Sequence, residues 1–258
     1  MSRLRARCPD CRTFTAVAIG PGYECHACGR EYGAGMVRVP QAWGEGGESM
    51  AEAARLPLPY PEAAVVEEET LDEQTLAVAI DLPERPVVLG GCCCAHIGAV
   101  EALAARNGRI ALVWIDAHGD LNTVESSPSG NLWATPFRVI LESGAVEPQD
   151  AILLGARSLD PPEREYIASI GLRTDVEELE EALDGTAGVY VALDVDALEP
   201  GEIQPFMPEP GGLTLDEVEQ LLGRVCKRTT ILGAGFSAAA AEPENVEPLT
   251  RLAVALGL

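Results

Sequence analysis

The segment RIALVWIDAHGD, residues 109–120, contains the pattern from which the fold can be inferred. Its apolar run, residues 110–115, ends directly in a group of acids with one histidine between them. An unbroken apolar run of this length is typical of a strand buried on both faces, as in a parallel sheet covered by helices. The segment GVYVALDVDAL, residues 188–198, repeats the pattern and also ends in acids. The two segments together predict an α/β domain.

Further strands and helices alternate on both sides of these segments. Three shorter apolar runs are predicted strands: residues 85–91, 151–158 and 229–239. Six stretches have helical spacing: residues 69–80, 97–106, 133–144, 161–170, 213–228 and 243–258. Thr214 is a predicted N-cap for the fifth of these helices. Repeated strand–helix order predicts a parallel sheet with helices on both faces, whose binding sites lie beyond the carboxyl ends of the strands.

The composition excludes several classes of protein. The 258 residues carry 18 Lys and Arg against 41 Asp and Glu, a net charge of −23, and Lys227 is the single lysine. A broad basic surface for nucleic acid is therefore not expected. No apolar run approaches the roughly 20 residues that span a bilayer, and no apolar segment typical of a secretory signal follows the first residues. We expect a cytoplasmic protein that binds neither nucleic acid nor membranes.

Four cysteines near the start have the spacing of a metal site. They form two CxxC pairs: Cys8, Cys11, Cys25 and Cys28. Two such pairs can hold one tetrahedral Zn²⁺ ion, and a reducing cytoplasm favours a metal over disulfides. His26 is an alternative ligand, although we expect it to be a solvated loop residue. We therefore predict a zinc ribbon with a structural ion, with redox or catalytic use and disulfides as the alternatives.

The composition changes after the ribbon. Residues 39–61 are rich in Gly, Pro, Ala and Glu and lack periodicity, which indicates a linker. Residues 29–39, GREYGAGMVRV, are interpreted as a further strand of the ribbon. We place the boundary near Gly46, so that residues 1–45 form the zinc-ribbon-like module with the start of the linker. Residues 46–258 then form the α/β domain.

Two groups of acids follow the two long predicted strands. They are Asp116, His118 and Asp120 in the first group, and Asp194 and Asp196 in the second. Four carboxylates and one imidazole at adjacent strand ends would repel each other unless a cation neutralises them. Mixed carboxylate and imidazole ligands suit Mn²⁺, and also Fe²⁺, Co²⁺ or Zn²⁺, and so many carboxylates suggest two ions. The alternative is that both groups are ordinary charged loop ends.

Several motifs resemble those of the ureohydrolase family, which includes arginase, agmatinase and formiminoglutamase. The matching segments occur in the family's order between residues 86 and 248: VLGG with CCCAHIGAV, WIDAHGDLNT, SPSGNLWATP, GARSLDPPERE, VALDVDALEP, PFMPEPGGLT and PENVEP. The resemblance implies an arginase-like three-layer α/β sandwich with a parallel sheet. It also implies hydrolysis of a guanidino or related group at a dinuclear manganese centre, and assembly as a homo-oligomer, a trimer or a hexamer.

The resemblance implies a role for individual residues. The five residues of the two acidic groups match family metal ligands, which would hold two Mn²⁺ ions around a bridging hydroxide. Asn122, Ser129 and Asp160 match positions that recognise the α-carboxylate and α-amino group of an amino acid, and Asn131 lies in the same loop. Asp120 and Glu242 are the implied catalytic residues. Glu242, or else Glu244, matches a glutamate that binds the guanidinium.

Two positions depart from the family pattern. Cys93 stands where the family carries its first metal-ligand histidine, so Cys93 is one candidate ligand and His96, one helical turn later, is another. A third interpretation is that the three adjacent cysteines only pack between sheet and helix. Trp133 replaces a histidine that transfers a proton to the leaving group, which an indole cannot do because it does not titrate. The chain before residue 86 is also short, so an early strand–helix unit is either missing or replaced by the ribbon.

Two functional hypotheses follow. The first is a metal-dependent hydrolase that cleaves a C–N bond in a guanidino or amidino amino-acid-like substrate. The second is a non-catalytic, arginase-like regulator that binds a metal or ligand and docks a partner through its ribbon. Retained metal ligands favour the first hypothesis, whereas Cys93 and Trp133 favour the second.

Overall fold

The computed structural model describes residues 4–258, so the first three residues of the expected ribbon module lie outside the described range. The described chain contains a small antiparallel sheet and a large parallel sheet. The small sheet has four strands in sequential order: β1 (Arg5–Ala6), β2 (Ala16–Ile19), β3 (Gly22–Cys25) and β4 (Glu31–Tyr32). Its antiparallel hairpins and four clustered cysteines confirm the predicted zinc-ribbon-like module.

The large sheet has seven parallel strands in the order β6-β5-β7-β11-β10-β8-β9. These strands are β5 (Gly35–Val39), β6 (Glu62–Val65), β7 (Pro86–Gly90), β8 (Ala111–Ile115), β9 (Ala151–Leu154), β10 (Val189–Asp194) and β11 (Ile231–Ser237). The helices are α1 (Glu48–Ala53), α2 (Leu71–Asp81), α3 (Ile97–Asn107), α4 (Pro136–Glu142), α5 (Pro161–Ile170), α6 (Leu179–Leu183), α7 (Leu215–Arg228) and α8 (Val246–Ala255). The predicted α/β class with a parallel sheet is confirmed.

The sheet separates two hydrophobic cores, which makes the domain a three-layer sandwich. Side chains alternate along a strand, so Val87 and Leu89 of β7 pack in one core while Val88 packs in the other. Helices α6, α7 and α8 cover the first face, and α2, α3 and α4 cover the second. The predicted N-cap Thr214 is confirmed, because its hydroxyl accepts the N–H of Glu217 at the start of α7.

Residues 29–39 contain two strands: β4 pairs with β3 in the ribbon as predicted, whereas β5 does not belong to the ribbon. Gly35–Val39 pairs with β6 and β7 and is the second strand of the large sheet. Arg38 interrupts the apolar run of β5, yet its side chain is buried. An acidic side chain balances its charge, and backbone carbonyls accept its N–H groups. Arg38 pairs with Glu62 at 2.6 Å and donates to the carbonyls of Ala54 and Leu56 at 2.7 and 2.8 Å. A buried charge is tolerated only with such partners.

The segment interpreted as a linker is folded. It contains α1, and Leu56, Leu58 and Tyr60 pack in the core of the large domain. An early strand–helix unit was expected to be missing or replaced by the ribbon, but the large sheet has two strands, β5 and β6, before residue 86. The last strand of the small sheet ends at Tyr32 and the first strand of the large sheet begins at Gly35. This transition comes earlier than the boundary near Gly46 that the composition suggested.

The ribbon packs on one outer strand of the large sheet. Arg7 and Glu62 form an antiparallel bridge in which each N–H donates to the other's carbonyl, at 2.8 and 2.9 Å. The ring of Tyr23 lies over Gly35, where a Cβ atom would be 2.4 Å from the ring. Glycine at this position therefore allows the ribbon to approach β5. Across residues 4–258, no helix has both the length and the apolar composition needed to cross a bilayer.

Candidate metal centres

Adjacent strands bring the two acidic groups together. β8 and β10 pair in parallel up to Ile115 and Leu193, so both acidic groups begin at the same edge of the sheet. Alternation along a strand would aim Asp194 and Asp196 at one point. The structure arranges them differently, because Asp194 ends β10 and a short 3₁₀ turn follows it. Asp194 Oδ1 accepts the N–H of Asp196 at 2.9 Å, and Asp196 Oδ1 accepts the N–H of Ala117, just after β8, at 3.1 Å.

Four residues of the two acidic groups and Cys93 form two overlapping clusters that share Asp116. Within each cluster the ligand atoms lie within 4.8 Å of one another: Cys93, Asp116 and Asp120 in one, and Asp116, His118 and Asp196 in the other. Asp194 adjoins the first cluster, since its Oδ2 is 3.1 Å from Cys93 Sγ. His118 Nδ1 lies 3.0 Å from Asp196 Oδ2 and 3.6 Å from Asp116 Oδ1. One shared carboxylate between two clusters is the arrangement expected of a dinuclear site.

The carboxylates resist ionisation when no cation is bound. Burial, followed by repulsion from Asp196, raises the pKa of Asp116 from its ordinary value of 3.8 to about 6. Burial and neighbouring carboxylates also raise the pKa values of Asp120 and Asp194 well above that value. Burial opposes the charged form of His118, but Asp116 and Asp196 outweigh it and raise its pKa to about 12. The site is therefore short of positive charge.

Asp120 supplies a direct test of whether divalent ions fit this site. Its Oδ2 atom is buried and has no hydrogen-bond partner within the described chain. Its backbone also adopts a left-handed φ of 52°, which is uncommon for an aspartate. An unpartnered buried carboxylate oxygen is unfavourable unless a cation or another group binds it. Carboxylate, imidazole and thiol donors are ligands for Mn²⁺, Fe²⁺, Co²⁺ or Zn²⁺, so the residues present fit divalent metal ions.

The raised pKa of Asp116 predicts a pH dependence for the metal-free protein. Because the folded state binds the Asp116 proton more tightly than the unfolded state, the free energy of unfolding should fall as pH rises from 3.8 to about 6. A shift of this size corresponds to about 3 kcal/mol. Thermal melts of metal-free wild type and of Asp116→Asn, across this pH range, should show the extra fall in the wild type. Parallel pH profiles would contradict the prediction.

His96 does not join either cluster. Its side chain is fully buried, with Nδ1 3.0 Å from the hydroxyl of Tyr190 and Nε2 3.1 Å from the hydroxyl of Ser237. Both ring nitrogens therefore already have partners in the protein. Of the two candidates from the CCCAH segment, the structure places Cys93, and not His96, beside the carboxylates.

A cavity of about 310 Å³ opens beside the clusters. Its walls include all four predicted substrate-binding residues: Asn122, Ser129, Asn131 and Asp160. Asn122 Nδ2 donates to Asp160 Oδ2 at 3.0 Å, which holds the two side chains together. Asn131 Oδ1 accepts the N–H of Glu45 at 3.0 Å and so anchors the loop before α1. Among residues 4–258, those that line the cavity include no Lys or Arg.

Trp133 forms a fixed aromatic wall of this cavity. Its backbone N–H donates to the carbonyl of Trp43 at 3.2 Å, and its ring lies 6.1 Å from that of Phe206 in an edge-to-face contact. A Cβ atom on Gly44 would be 2.3 Å from the Trp133 ring, so the indole packs directly on the glycine backbone. The side chain can shape the cavity and exclude water, but it cannot transfer a proton.

The structure does not bring Glu242 to the cavity. Glu242 is exposed in the loop before α8, and Glu244 is exposed beside it. The wall beyond β11 is instead formed by Ala238, whose φ is 58°. Neither Glu242 nor Glu244, the two candidates for a guanidinium contact, therefore lines the cavity.

Three residues of the site were missed from the sequence. Glu209 Oε1 lies 3.6 Å from His118 Nε2, on a loop whose path the sequence does not reveal. Ser237 ends β11 and contacts both Cys93 and His96. Glu163 is buried and accepts the backbone N–H groups of Leu121 and Asp160 at 3.0 and 2.9 Å. The spacing D-x-x-E in DPPE, typical of a capping box, could have identified Glu163 as the partner of Asp160.

The four ribbon cysteines also converge. Cys8 Sγ is 3.7 Å from Cys28 Sγ, and Cys11 Sγ is 3.5 Å from Cys25 Sγ. Four thiolates at about 2.3 Å from a tetrahedral ion stand about 3.8 Å apart, so this arrangement fits Zn²⁺. The Tyr32 hydroxyl lies 3.0 Å from Cys8 Sγ, and His26 is an exposed loop residue.

Comparisons with known proteins agree with this geometry. The arginase family model matches residues 49–255. The arginase of Staphylococcus aureus (strain MRSA252) is 34% identical over 152 residues, 49% of this chain and 50% of that protein. The arginase of Bacillus caldovelox is 32% identical over 194 residues, 63% of this chain and 65% of that protein. The chain thus spans about half to two thirds of the length of these curated relatives.

A solved structure shows the same fold. The crystal structure of Entamoeba histolytica arginase in complex with L-ornithine superposes with a TM-score of 0.74 at 18% identity. The superposition covers 86% of this chain and 97% of that one. Both outer layers and the parallel sheet of the large domain therefore follow the arginase fold. Together with the family model, which spans most of the chain, these similarities show that the protein belongs to the arginase family.

Proposed function

We propose that the protein is a metal-dependent hydrolase of a C–N bond in a guanidino or amidino amino-acid-like substrate. The observation that carries this proposal is the pair of clusters sharing Asp116, with the unpartnered Asp120 Oδ2 beside a polar cavity. The cavity is acidic and is lined by no Lys or Arg of the described residues, which favours a cationic group, because a buried cation needs opposite charge nearby. Guanidino and amidino groups are cations of this kind.

The carboxylates, His118 and Cys93 would hold two divalent ions. We propose two divalent ions for these positions, Mn²⁺ as in the family or another divalent metal where Cys93 is a ligand, with Zn²⁺ in the ribbon. Bound ions would supply Lewis acidity, which polarises the scissile group and lowers the pKa of water. The protein contributes the geometry: Trp114 Nε1 donates to Asp116 Oδ2 at 3.0 Å, and the N–H of Ala117 donates to Asp196 Oδ1 at 3.1 Å. These contacts fix the two carboxylates before any ion binds.

The polar residues of the cavity suggest how the proposed substrate is oriented. Asp160, held by Asn122, can accept a hydrogen bond from an α-ammonium group, whereas Ser129 and Asn131 can contact an α-carboxylate. The cationic end then lies toward Asp120, where the carboxylate can accept a proton during hydrolysis. Trp133 covers this region and limits access of bulk water. We assign no substrate contact to Glu242, because it lies outside the cavity.

The proposal is tested by product release from a panel of substrates. Protein reconstituted with Mn²⁺, and in parallel with Co²⁺, would be incubated with L-arginine, agmatine, guanidinobutyrate and formiminoglutamate. We expect urea or formamide from a substrate that carries an α-amino group and an α-carboxylate, and less from agmatine. Asp160→Asn should raise KM for that substrate more than it lowers kcat. No product from any compound, with both ions bound, would contradict the proposal.

Trp133 and Ala238 favour a second candidate function, a metal- and ligand-binding regulator that does not turn its ligand over. The indole cannot transfer a proton, and the last strand presents no acid to the cavity. In this case an amino-acid ligand should raise the melting temperature of the metal-loaded protein without forming product. Trp133→His should then confer no activity. Turnover by the wild type, or its appearance in this variant, would exclude the regulator.

A further inference from the structure

A continuous chain of buried hydrogen bonds leads away from Cys93. Cys93 Sγ lies 3.0 Å from Ser237 Oγ, which lies 3.1 Å from His96 Nε2. His96 Nδ1 lies 3.0 Å from the hydroxyl of Tyr190. All four side chains are at most 3% exposed. Of these four side chains, Cys93 belongs to a carboxylate cluster and the other three do not. The hydrogen bonds therefore connect the candidate metal centre to groups that are not candidate ligands.

Gly235 makes room for this chain in the middle of the sheet. A Cβ atom on Gly235 would be 2.4 Å from the Tyr190 hydroxyl and 2.5 Å from His96 Nδ1. A side chain at this position of β11 would therefore displace the imidazole or the phenol. Glycine weakens a strand interior, and it is often found where another group must approach the backbone closely. Here that group is the hydrogen-bonded pair of His96 and Tyr190.

We infer that Cys93 binds a divalent metal ion as a thiolate, and that Ser237, His96 and Tyr190 are positioning residues that orient its sulfur. The inference rests on the metal centre of the proposed function, but not on the substrate. It makes the Cys93 end of the centre a mixed thiolate and carboxylate site. Such a site should prefer Zn²⁺, Co²⁺ or Fe²⁺ to Mn²⁺, because thiolates are softer ligands than carboxylates or imidazoles.

The direction of the hydrogen bonds follows from the chemistry of the four groups. A sulfur that ligates a metal has lost its proton to solvent, so it can only accept a hydrogen bond. The Ser237 hydroxyl therefore donates to Cys93 and accepts from His96 Nε2–H. A neutral imidazole has one donor and one acceptor, which leaves Nδ1 to accept the Tyr190 hydroxyl. One orientation thus satisfies every member, and supporting partners of this kind fix a ligand in place.

Cobalt provides a probe that reports on the sulfur itself. Bound Co²⁺ absorbs weakly in the visible range, whereas a thiolate ligand adds an intense near-ultraviolet charge-transfer band. The ribbon would first be filled with one equivalent of Zn²⁺, so that its four thiolates do not contribute. We expect the band to develop as Co²⁺ enters the large domain, and to be absent in Cys93→Ser. Cys94→Ser, which removes a neighbouring buried thiol outside both clusters, should retain it.

Two variants test the positioning residues. Ser237→Ala should move the charge-transfer band to longer wavelength, because an unsupported thiolate gives up electron density more easily. It should also weaken Zn²⁺ binding about 10–100-fold, the usual effect of losing a group that supports a ligand. Tyr190→Phe removes only the hydroxyl at the far end of the hydrogen-bond series. The band should therefore move in the same direction as in Ser237→Ala, and Zn²⁺ binding should again weaken, but both effects should be smaller. A role confined to packing would leave the position of the band unchanged.

The outcomes separate this inference from the proposed function. If the large domain binds no Co²⁺ at all, the metal centre of the proposed function fails and the inference fails with it. If Co²⁺ binds with visible absorption but the band is the same in wild type and Cys93→Ser, only the thiolate inference is overturned. If the band depends on Cys93 but does not move in Ser237→Ala, Cys93 is a ligand and the positioning roles are overturned.

Discussion

Replacing Asp116 with Asn is expected to remove both of the proposed metal ions from the large domain and to leave the proposed ribbon zinc in place. Asp116 is the one carboxylate shared by the two clusters, so its loss weakens both positions at once. Loss of a supporting group alone costs about 10–100-fold in metal affinity or activity, and loss of a shared ligand should exceed that range. Elemental analysis should find one zinc per chain, and hydrolysis should fall by more than about a hundredfold.

Asp150→Asn is a matched control for this variant. Asp150 is as buried as Asp116, but it pairs with Arg109 at the start of β9, far from the clusters in the sheet. This change should leave the metal content of the large domain unaltered. In the metal-free state, Asp116→Asn should be more stable than the wild type near neutral pH, because it removes one buried charge from the cluster. Retention of either ion by Asp116→Asn would contradict the shared role of Asp116.

Loss of one ribbon cysteine should unfold the ribbon without unfolding the large domain. From residue 4 onward, the core of the ribbon contains five buried apolar residues: Ala6, Cys8, Ala16, Tyr23 and Cys25. Structural zinc contributes an apparent 10–16 kcal/mol to small domains of this type, far more than such a core supplies. Cys8→Ser removes one of the four ligands, so the protein should lose its ribbon zinc. The large domain has its own two cores and should keep its fold.

Hydrogen exchange of the backbone amides measures this difference. In Cys8→Ser, the amides of β2 and β3 should exchange freely, whereas those of β8 and β10 should remain protected. Cys226→Ser is the control, because Cys226 is a half-buried thiol on α7 that donates to the carbonyl of Ala255. It should leave ribbon protection unchanged. Protected β2 and β3 amides in Cys8→Ser would show that the ribbon folds without its full ligand set.

The sequence was informative where one physical pattern dominated. Apolar strands that end in acids predicted a parallel sheet with Asp116, His118, Asp120, Asp194 and Asp196 at one edge, and the structure brings these residues together. Two CxxC pairs predicted the ribbon in the same way. In both cases the candidate metal ligands come in groups that are close in sequence. The position of each group follows from the strand or hairpin beside it.

The sequence was less informative where distant contacts decided the structure. The sequence did not reveal that β5 belongs to the large sheet, because Glu62, Ala54 and Leu56, the partners of its Arg38, are not visible in the local pattern. His96 was a reasonable ligand by spacing, but β10 and β11 supply Tyr190 and Ser237 as partners for its ring.

The approach of Glu209 to His118 likewise depends on the path of the loop after β10. No spacing rule brings these two residues together, because the loop between residues 199 and 213 has no regular periodicity. Its geometry is set by contacts such as those of Glu199, which accepts the N–H groups of Gly211 and Gly212 at 2.7 and 2.8 Å.

Both outermost strands of the large sheet carry backbone partners that do not belong to the sheet. The ribbon bridges to β6 at Glu62, and on the opposite side the N–H of Leu153 in β9 donates to the carbonyl of Arg173 at 3.0 Å. Exposed strand edges invite pairing with other chains and are a common route to aggregation. These partners occupy part of each edge, which disfavours edge-to-edge pairing between the sheets of two copies.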